Sequence, residues 1–401
     1  SYDKESGELV LHNYMDFDNL KDYVKISYEL TQDGLVIGKG KLAEVSVVPH
    51  SEGKTNLQVN VPENGKCYLK LIYHLKKEMP LLEEDYILGF DEIEVSQKDA
   101  KCQLAEKWVE KTVTDSELQV SEDDTQIHIK GREFAYTIDR RTALFTEMKF
   151  AGREYLNHPM ELNIWRAPTD NDMYIKSEWK KAHYDKAYTR AYTTEVVQGK
   201  HGVKITSHAS VVAETVQKIL DVTITWKIEA AGKIDADIAV TKDDEFPDLP
   251  RFGVRMFLDK KLSAARYFGM GPQESYCDKH QAASHGLYQA NVDDLHEDYI
   301  RPQENGSHYD CEYVELNNSR YGIVASAEKA FSFNASYYTQ EELEKKTHNY
   351  ELIESDSVVF CVDYALNGIG SNSCGPVVLE QYRFDDVLFR FQFTLIPYIK
   401  G

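Results

Sequence analysis

Residues 222–228 read Val-Thr-Ile-Thr-Trp-Lys-Ile, and residues 234–240 read Ile-Asp-Ala-Asp-Ile-Ala-Val. Successive side chains of an extended chain point to opposite faces, so Val222, Ile224, Trp226 and Ile228 share one side while Thr223, Thr225 and Lys227 share the other. Ile234, Ala236, Ile238 and Val240 repeat the pattern, which predicts half-buried strands with one face on a core. The same period occurs at Ile127 and Ile129, at Phe134, Tyr136 and Ile138, and at Val203 and Ile205. Residues 123–401 are therefore expected to form one large antiparallel sandwich.

Working back toward the N-terminus, Val24, Ile26, Tyr28 and Leu30 alternate before an Asp33-Gly34 turn, and Cys67, Leu69, Leu71, Tyr73 and Leu75 alternate after Asn64-Gly65. Short strands bounded by such turns predict a small immunoglobulin-like sandwich over residues 1–98. Residues 99–122 keep neither period and read as a linker. Helical signals are few. Ser177 is expected to cap a short helix carrying Trp179, Ala182 and His183, and Thr339 with Glu342 makes a capping-box pattern before Leu343. With no alternation of strands and long helices, the chain is predicted to be all-β.

Composition narrows the function classes. A formal charge of -21 repels a phosphate backbone, and Lys and Arg are scattered, which argues against a nucleic-acid partner. No apolar run approaches the length of a membrane span. The six cysteines lie far apart without a C-x-x-C pair, and the 13 histidines show no H-E-x-x-H spacing, so no metal site is predicted in this chain. Nucleophile-elbow and phosphate-loop motifs are absent as well. Asn305, Asn317 and Asn334 open N-x-S/T triplets, a signal that carries weight only in a secreted eukaryotic protein. The chain begins at Ser1, as a processed or excised piece would.

Four short runs stand out from the strands: Arg-Ala-Pro-Thr-Asp-Asn-Asp at 166–172, Gly-Met-Gly-Pro-Gln-Glu-Ser-Tyr at 269–276, Arg-Pro-Gln-Glu-Asn-Gly at 301–306, and Gly-Ile-Gly-Ser-Asn-Ser-Cys-Gly-Pro at 368–376. Pro, Asx and Gly residues at this density favour tight turns whose side chains bond the local backbone.

In this order the four runs resemble the C-terminal part of bacterial β-galactosidases of glycoside hydrolase family 2. The resemblance extends along the second block, and residues 1–98 are similar to the immunoglobulin-like domain that precedes it in the family. It implies a five-domain parent enzyme whose fourth and fifth domains this chain supplies, the fifth being a supersandwich of the galactose-mutarotase type. Family members cleave terminal β-galactosides of the lactose kind with retention, using two glutamates on a barrel domain that is not in this chain. The family's Asn-Glu dipeptide does not occur here, so no catalytic residue is assigned and the chain alone is expected to be inactive.

The resemblance places the loop around Asn372, Ser373 and Cys374 at the active-site mouth as substrate-binding residues. In relatives the position of Cys374 is a Trp that stacks on the sugar, and the loop here is one residue shorter. Tyr174, on a segment bordering the site, is expected to supply aromatic surface. Arg166, Asp170, Asn171, Asp172, Glu274 and Glu304 are expected to be structural, holding turns and the interface with the barrel. Magnesium and sodium are implied for the intact enzyme and no cofactor for this chain. The implied partners are the barrel, in the same or a separate chain, a galactoside, and further copies in an oligomer, in bacterial cytoplasm or periplasm. Two other readings remain: an aldose epimerase using His183, His280 or His308 with a Glu, and a carbohydrate-binding module.

Overall fold

The structure, a computed structural model, describes residues 1–96, 118–215 and 218–400. The described chain divides into two compact units, the first holding residues 1–96 and the second most of the remainder. Residues 99–117 of the expected linker lie outside the described residues; Gln119–Glu122, at its end, forms a strand paired with Gln126–Lys130. No described helix is long and apolar enough to cross a membrane.

In the first unit Val24–Gln32 pairs antiparallel with Leu35–Lys41 across Asp33 and Gly34, which take φ of 48° and 81°. A two-residue hairpin needs positive φ at such positions, and Asp-Gly tolerates it best. Cys67–Leu75 and Ile87–Ser96 complete a four-stranded sheet, while Glu8–Asn13 pairs with Ser51–Asn56. Leu9 and Leu11 of the smaller sheet share a core with Ile26, Leu30, Leu69 and Leu71 of the larger one. The result is a small two-sheet sandwich.

The second unit is all-β with short helices. A path of nine antiparallel strands runs Leu156–Asn163, Arg251–Asp259, Ser357–Leu366, Tyr321–Ser336, Leu388–Ile399, Ile234–Lys242, Leu220–Glu229, Gly202–Val212, Tyr188–Gln198, within a sheet of twelve. A five-stranded sheet, from Gln119–Glu122 to Arg153–Glu154, contributes Ile127, Ile129, Tyr136, Ile138 and Phe145 to the core it shares with the larger one. Ile224 faces Ile238, and Trp226 faces Ala236, across their ladder. Trp226 is fully buried, its Nε1 donates to Ala143 O at 2.8 Å, and its ring meets Phe145 edge-on at 4.9 Å. It thus ties the two sheets together, and satisfies the one polar atom that burying an indole creates.

Thr339 caps the helix Gln340–Lys345 as expected, accepting from Glu342 N at 3.1 Å. The other helix differs: it spans Ile175–Lys181 with Tyr174 at its N-cap, and Ser177 lies inside it, donating to Tyr174 O at 2.7 Å. A serine can bond the backbone behind it as readily as the backbone ahead, so its presence alone did not fix the start. Trp179 and Ala182 are buried; His183 follows the helix with φ of 58°.

Replacing Trp226 with Ala removes a large side chain from both sheets and should cost about 3–5 kcal/mol. Urea denaturation of Trp226→Ala should show this loss, whereas Lys204→Ala, on the exposed face of the neighbouring strand, should leave the midpoint unmoved.

Candidate functional site

The four unusual runs, far apart in sequence, converge. Arg166 directly follows Ile164 and Trp165 out of a core strand and is itself fully buried. Its Nε and Nη2 donate to the Asp172 carboxylate at 3.1 and 2.7 Å, Nη1 donates to Asn367 O at 2.5 Å, and Nη2 also donates to Gly368 O at 3.1 Å. The guanidinium lies over the Trp179 ring at 5.3 Å. Burial works against the Arg166 charge, yet Asp172 and Glu304 more than offset it, so its pKa is raised. Asp172 also accepts from Thr169 N at 2.9 Å, which closes the turn.

The glycine-rich loop is thereby held at its base, and other side chains hold it further along. Asn171 Nδ2 donates to Gly370 O at 2.6 Å, and Asn171 Oδ1 accepts from Ser373 Oγ at 2.7 Å and Ser373 N at 3.2 Å. From the opposite side Asp278 accepts from Ile369 N at 2.9 Å and Gly370 N at 2.7 Å. Gly370 has φ of 66°, and a Cβ there would stand 2.6 Å from a Val378 methyl, so only glycine suits the bend. Cys374 and Gly375 close a turn onto Ser371 O, leaving Ser373 and Cys374 exposed at the apex and Asn372 half-buried.

The second and third runs meet beneath. Glu274 accepts from Lys279 Nζ and Tyr299 OH, and from Gly306 N at 2.8 Å. Gln303 accepts from Asp170 N at 2.9 Å. Glu304 is 4% exposed; its Oε2 accepts from Arg251 Nη1 at 3.2 Å, and Arg251 grips Asp363 with two further donors at 3.1 and 2.5 Å. Arg166 and Arg251 are balanced by Asp172 and Asp363, so Glu304 is the surplus carboxylate. Burial raises its pKa, and Arg251 and Arg166 offset that only in part.

Between these elements lies a cavity of about 440 Å³ whose lining includes Asp170, Asn171, Glu274, Tyr276, Glu304 and Gly370. Glu304 Oε1 and the Tyr276 hydroxyl are buried without hydrogen-bond partners. Of the residues singled out from sequence, Asn171 and Ser373 touch, and Arg166, Asp170, Asp172, Glu274 and Glu304 belong to the surrounding framework. Tyr174 is 60% exposed at the helix start and outside the cavity lining, as are Asn372, Ser373 and Cys374. Asp278, Arg251 and Asp363 were not foreseen. Asp363 carried a signal, since it is a charge within an otherwise apolar strand, where only a paired charge is tolerated.

Among the described residues no group of three or more His, Cys, Asp or Glu side chains is arranged to hold a metal ion.

The family model for the beta galactosidase small chain matches residues 130–395, and that for beta-galactosidase domain 4 matches residues 9–96. A β-galactosidase of Actinobacillus pleuropneumoniae is 42% identical over 392 residues, which is 97% of this chain and 38% of that protein. One of Staphylococcus xylosus is 30% identical, with 98% of this chain and 39% of that protein covered. The chain therefore spans well under half the length of these relatives. Among solved structures, a galactose 1-epimerase from Lactobacillus acidophilus aligns with a TM-score of 0.39 and 7% identity over 72% of this chain and all of that one.

Asp172→Asn leaves the buried Arg166 without its counter-charge and should cost about 3–5 kcal/mol in denaturant titrations. Asp170→Asn, at an exposed position, should not. Because the folded pKa of Glu304 is raised, the folded state holds its proton longer than the unfolded chain does. Stability should fall as pH rises above the ordinary value of 4.5. Thermal melts of Glu304→Gln across that range should show a flatter dependence than the parent, though not a level one, since burial raises Asp363 too.

Proposed function

Because the chain belongs to the β-galactosidase small-chain family, we propose that it is the non-catalytic C-terminal part of an enzyme of glycoside hydrolase family 2 that hydrolyses terminal β-D-galactosides with retention. The loop at 368–376 would form part of the active-site mouth of the whole enzyme. The observation that carries this reading is the way the loop is held: Arg166, Asn171 and Asp278 fix its base, while Ser373 and Cys374 stay exposed at its apex. A wall that positions substrate needs that combination of a rigid base and a free tip.

The chemistry itself is assigned to the barrel. Retention requires two carboxyl groups about 5–5.5 Å apart across the scissile bond. The acids of the loop site are engaged in the framework: Glu274 with Lys279 and Tyr299, Asp170 with Gln303, Asp278 with the loop backbone, and Glu304, through Oε2, with Arg251. Asn372 and the Ser373 hydroxyl are neutral groups, suited to a neutral sugar. With Cys374 at the apex, exposed Tyr174, three residues after the loop-binding Asn171, would supply the aromatic face for the aglycone. The barrel, in the same or a separate chain, and further copies of the enzyme are the partners in this reading; magnesium and sodium belong to the intact enzyme.

The epimerase alternative needs a His opposite a Glu in a cavity. No His lines the cavity of the loop site or the larger one described below. His308 is buried between Tyr267 and Phe333, its Nδ1–H donates to Met270 O at 3.3 Å, and burial pushes its pKa down to about 4. His280 bonds Tyr276 O through Nδ1.

The purified chain should not turn over a chromogenic β-galactoside; turnover that survives further purification would overturn the proposal. In the intact enzyme Asn171→Ala, by loosening the loop, should lower kcat/KM roughly a hundredfold, the scale expected for about 1 Å of misplacement. An unchanged kcat/KM would remove the loop from the active site.

A further inference from the structure

The second unit holds a larger cavity, of about 710 Å³, at a place where one strand changes partners. Tyr321–Ser336 pairs through Tyr321–Ser326 with Leu388–Ile399, and through Ser332–Ser336 with Ser357–Leu366. The stretch between, Ala327–Phe331, pairs with neither. Tyr364–Leu366 is bonded on one edge to Arg251–Asp259, and Phe389–Phe393 on one edge to Ile234–Lys242. Their facing edges have no ladder partner, so the sheet opens there into a cleft, which exposes backbone donors and acceptors.

Side chains finish the site. On one side the Tyr364 ring packs 4.9 Å from Phe389 and 5.8 Å from Phe384, and half-buried Tyr382 lines the same cavity. On the other, Arg390 binds Asp237 with two donors, Gln392 Nε2 donates to the same carboxylate at 3.2 Å, and Thr394 Oγ1 donates to Asp235 at 2.7 Å. The lining carries four basic and five acidic side chains, so no strong net field selects an ion. The cavity lies within the ~300–1,000 Å³ range of small-molecule sites. Half-buried Tyr364 and Tyr382, in one lining with amide, guanidinium, carboxylate and hydroxyl groups, suit a neutral ring that has apolar C–H faces and a polar edge of hydroxyls.

We propose that the cleft between Tyr364–Leu366 and Phe389–Phe393 binds a neutral saccharide, a hexose or short oligosaccharide. The proposal does not rest on the role of the loop at 368–376.

Titration calorimetry of the whole chain with galactose, lactose and maltose tests it. At least one sugar should bind saturably, and Gln392→Ala and Tyr382→Ala should each weaken its Kd about tenfold or more, while Lys204→Ala leaves it unchanged. Circular dichroism establishes that each variant is folded; Gln392 is exposed, so its replacement keeps the test valid should Tyr382→Ala unfold. Absence of saturable binding by all three sugars, equal affinity in folded cleft variants, or uptake of an extended peptide with no sugar binding would overturn the proposal.

Discussion

A guanidinium with no exposed surface dictates much of the second unit. Arg166 cannot lose its proton under ordinary conditions, and its donors must find acceptors or carry a desolvation cost of several kcal/mol. Asp172 satisfies two of them from six residues away, while the carbonyls of Asn367 and Gly368 satisfy two more from about 200 residues away. The cost of burying the charge is therefore recovered only when the glycine-rich loop docks in one register. Such pairs add little to net stability compared with apolar replacements, and their use is to specify an arrangement. The loop then needs only short polar contacts, from Asn171 and Asp278, to keep its shape.

Arg251 repeats the device one layer deeper. Its bonds to Asp363 and Glu304 link two neighbouring strands to the turn at 301–306, and that turn is bonded in its own right to Asp170 and Glu274. The framework is thus assembled from buried charges, while the loop apex is built from small neutral residues. Rigidity and accessibility are thus allotted to different side chains of the same site.

Much of the fold was legible in the sequence, because the two-residue period at Val222–Ile228 and Ile234–Val240 survives as alternating burial, and because Asp33-Gly34 could form little other than a hairpin. The helix near Trp179 was legible in existence but not in its start, since Ser177 makes the same bond inside a helix that it makes in front of one. Gln119–Glu122 was read as linker because four residues are too few for a period to declare itself. The site was legible as four odd runs; their convergence was not, because it depends on carbonyls of Asn367 and Gly368, and a backbone acceptor looks alike at every residue. The split between Ser357–Leu366 and Leu388–Ile399 left no trace in the sequence, as the first reads as an ordinary apolar core strand and the second begins with an ordinary alternation, and only their pairing sets them apart.

The strand Leu388–Ile399 lies in the interior of the large sheet, between Tyr321–Ser336 and Ile234–Lys242. On a ribosome it is the last of these strands to be made, so earlier strands emerge with a central seat in the sheet empty. Ile234–Lys242 must wait with an open edge and apolar side chains on one face until it arrives. Long-range pairing of this kind is slow and leaves nascent edges vulnerable to wrong partners. On this topology the edge of Ile234–Lys242 stays open until Leu388–Ile399 has left the ribosome.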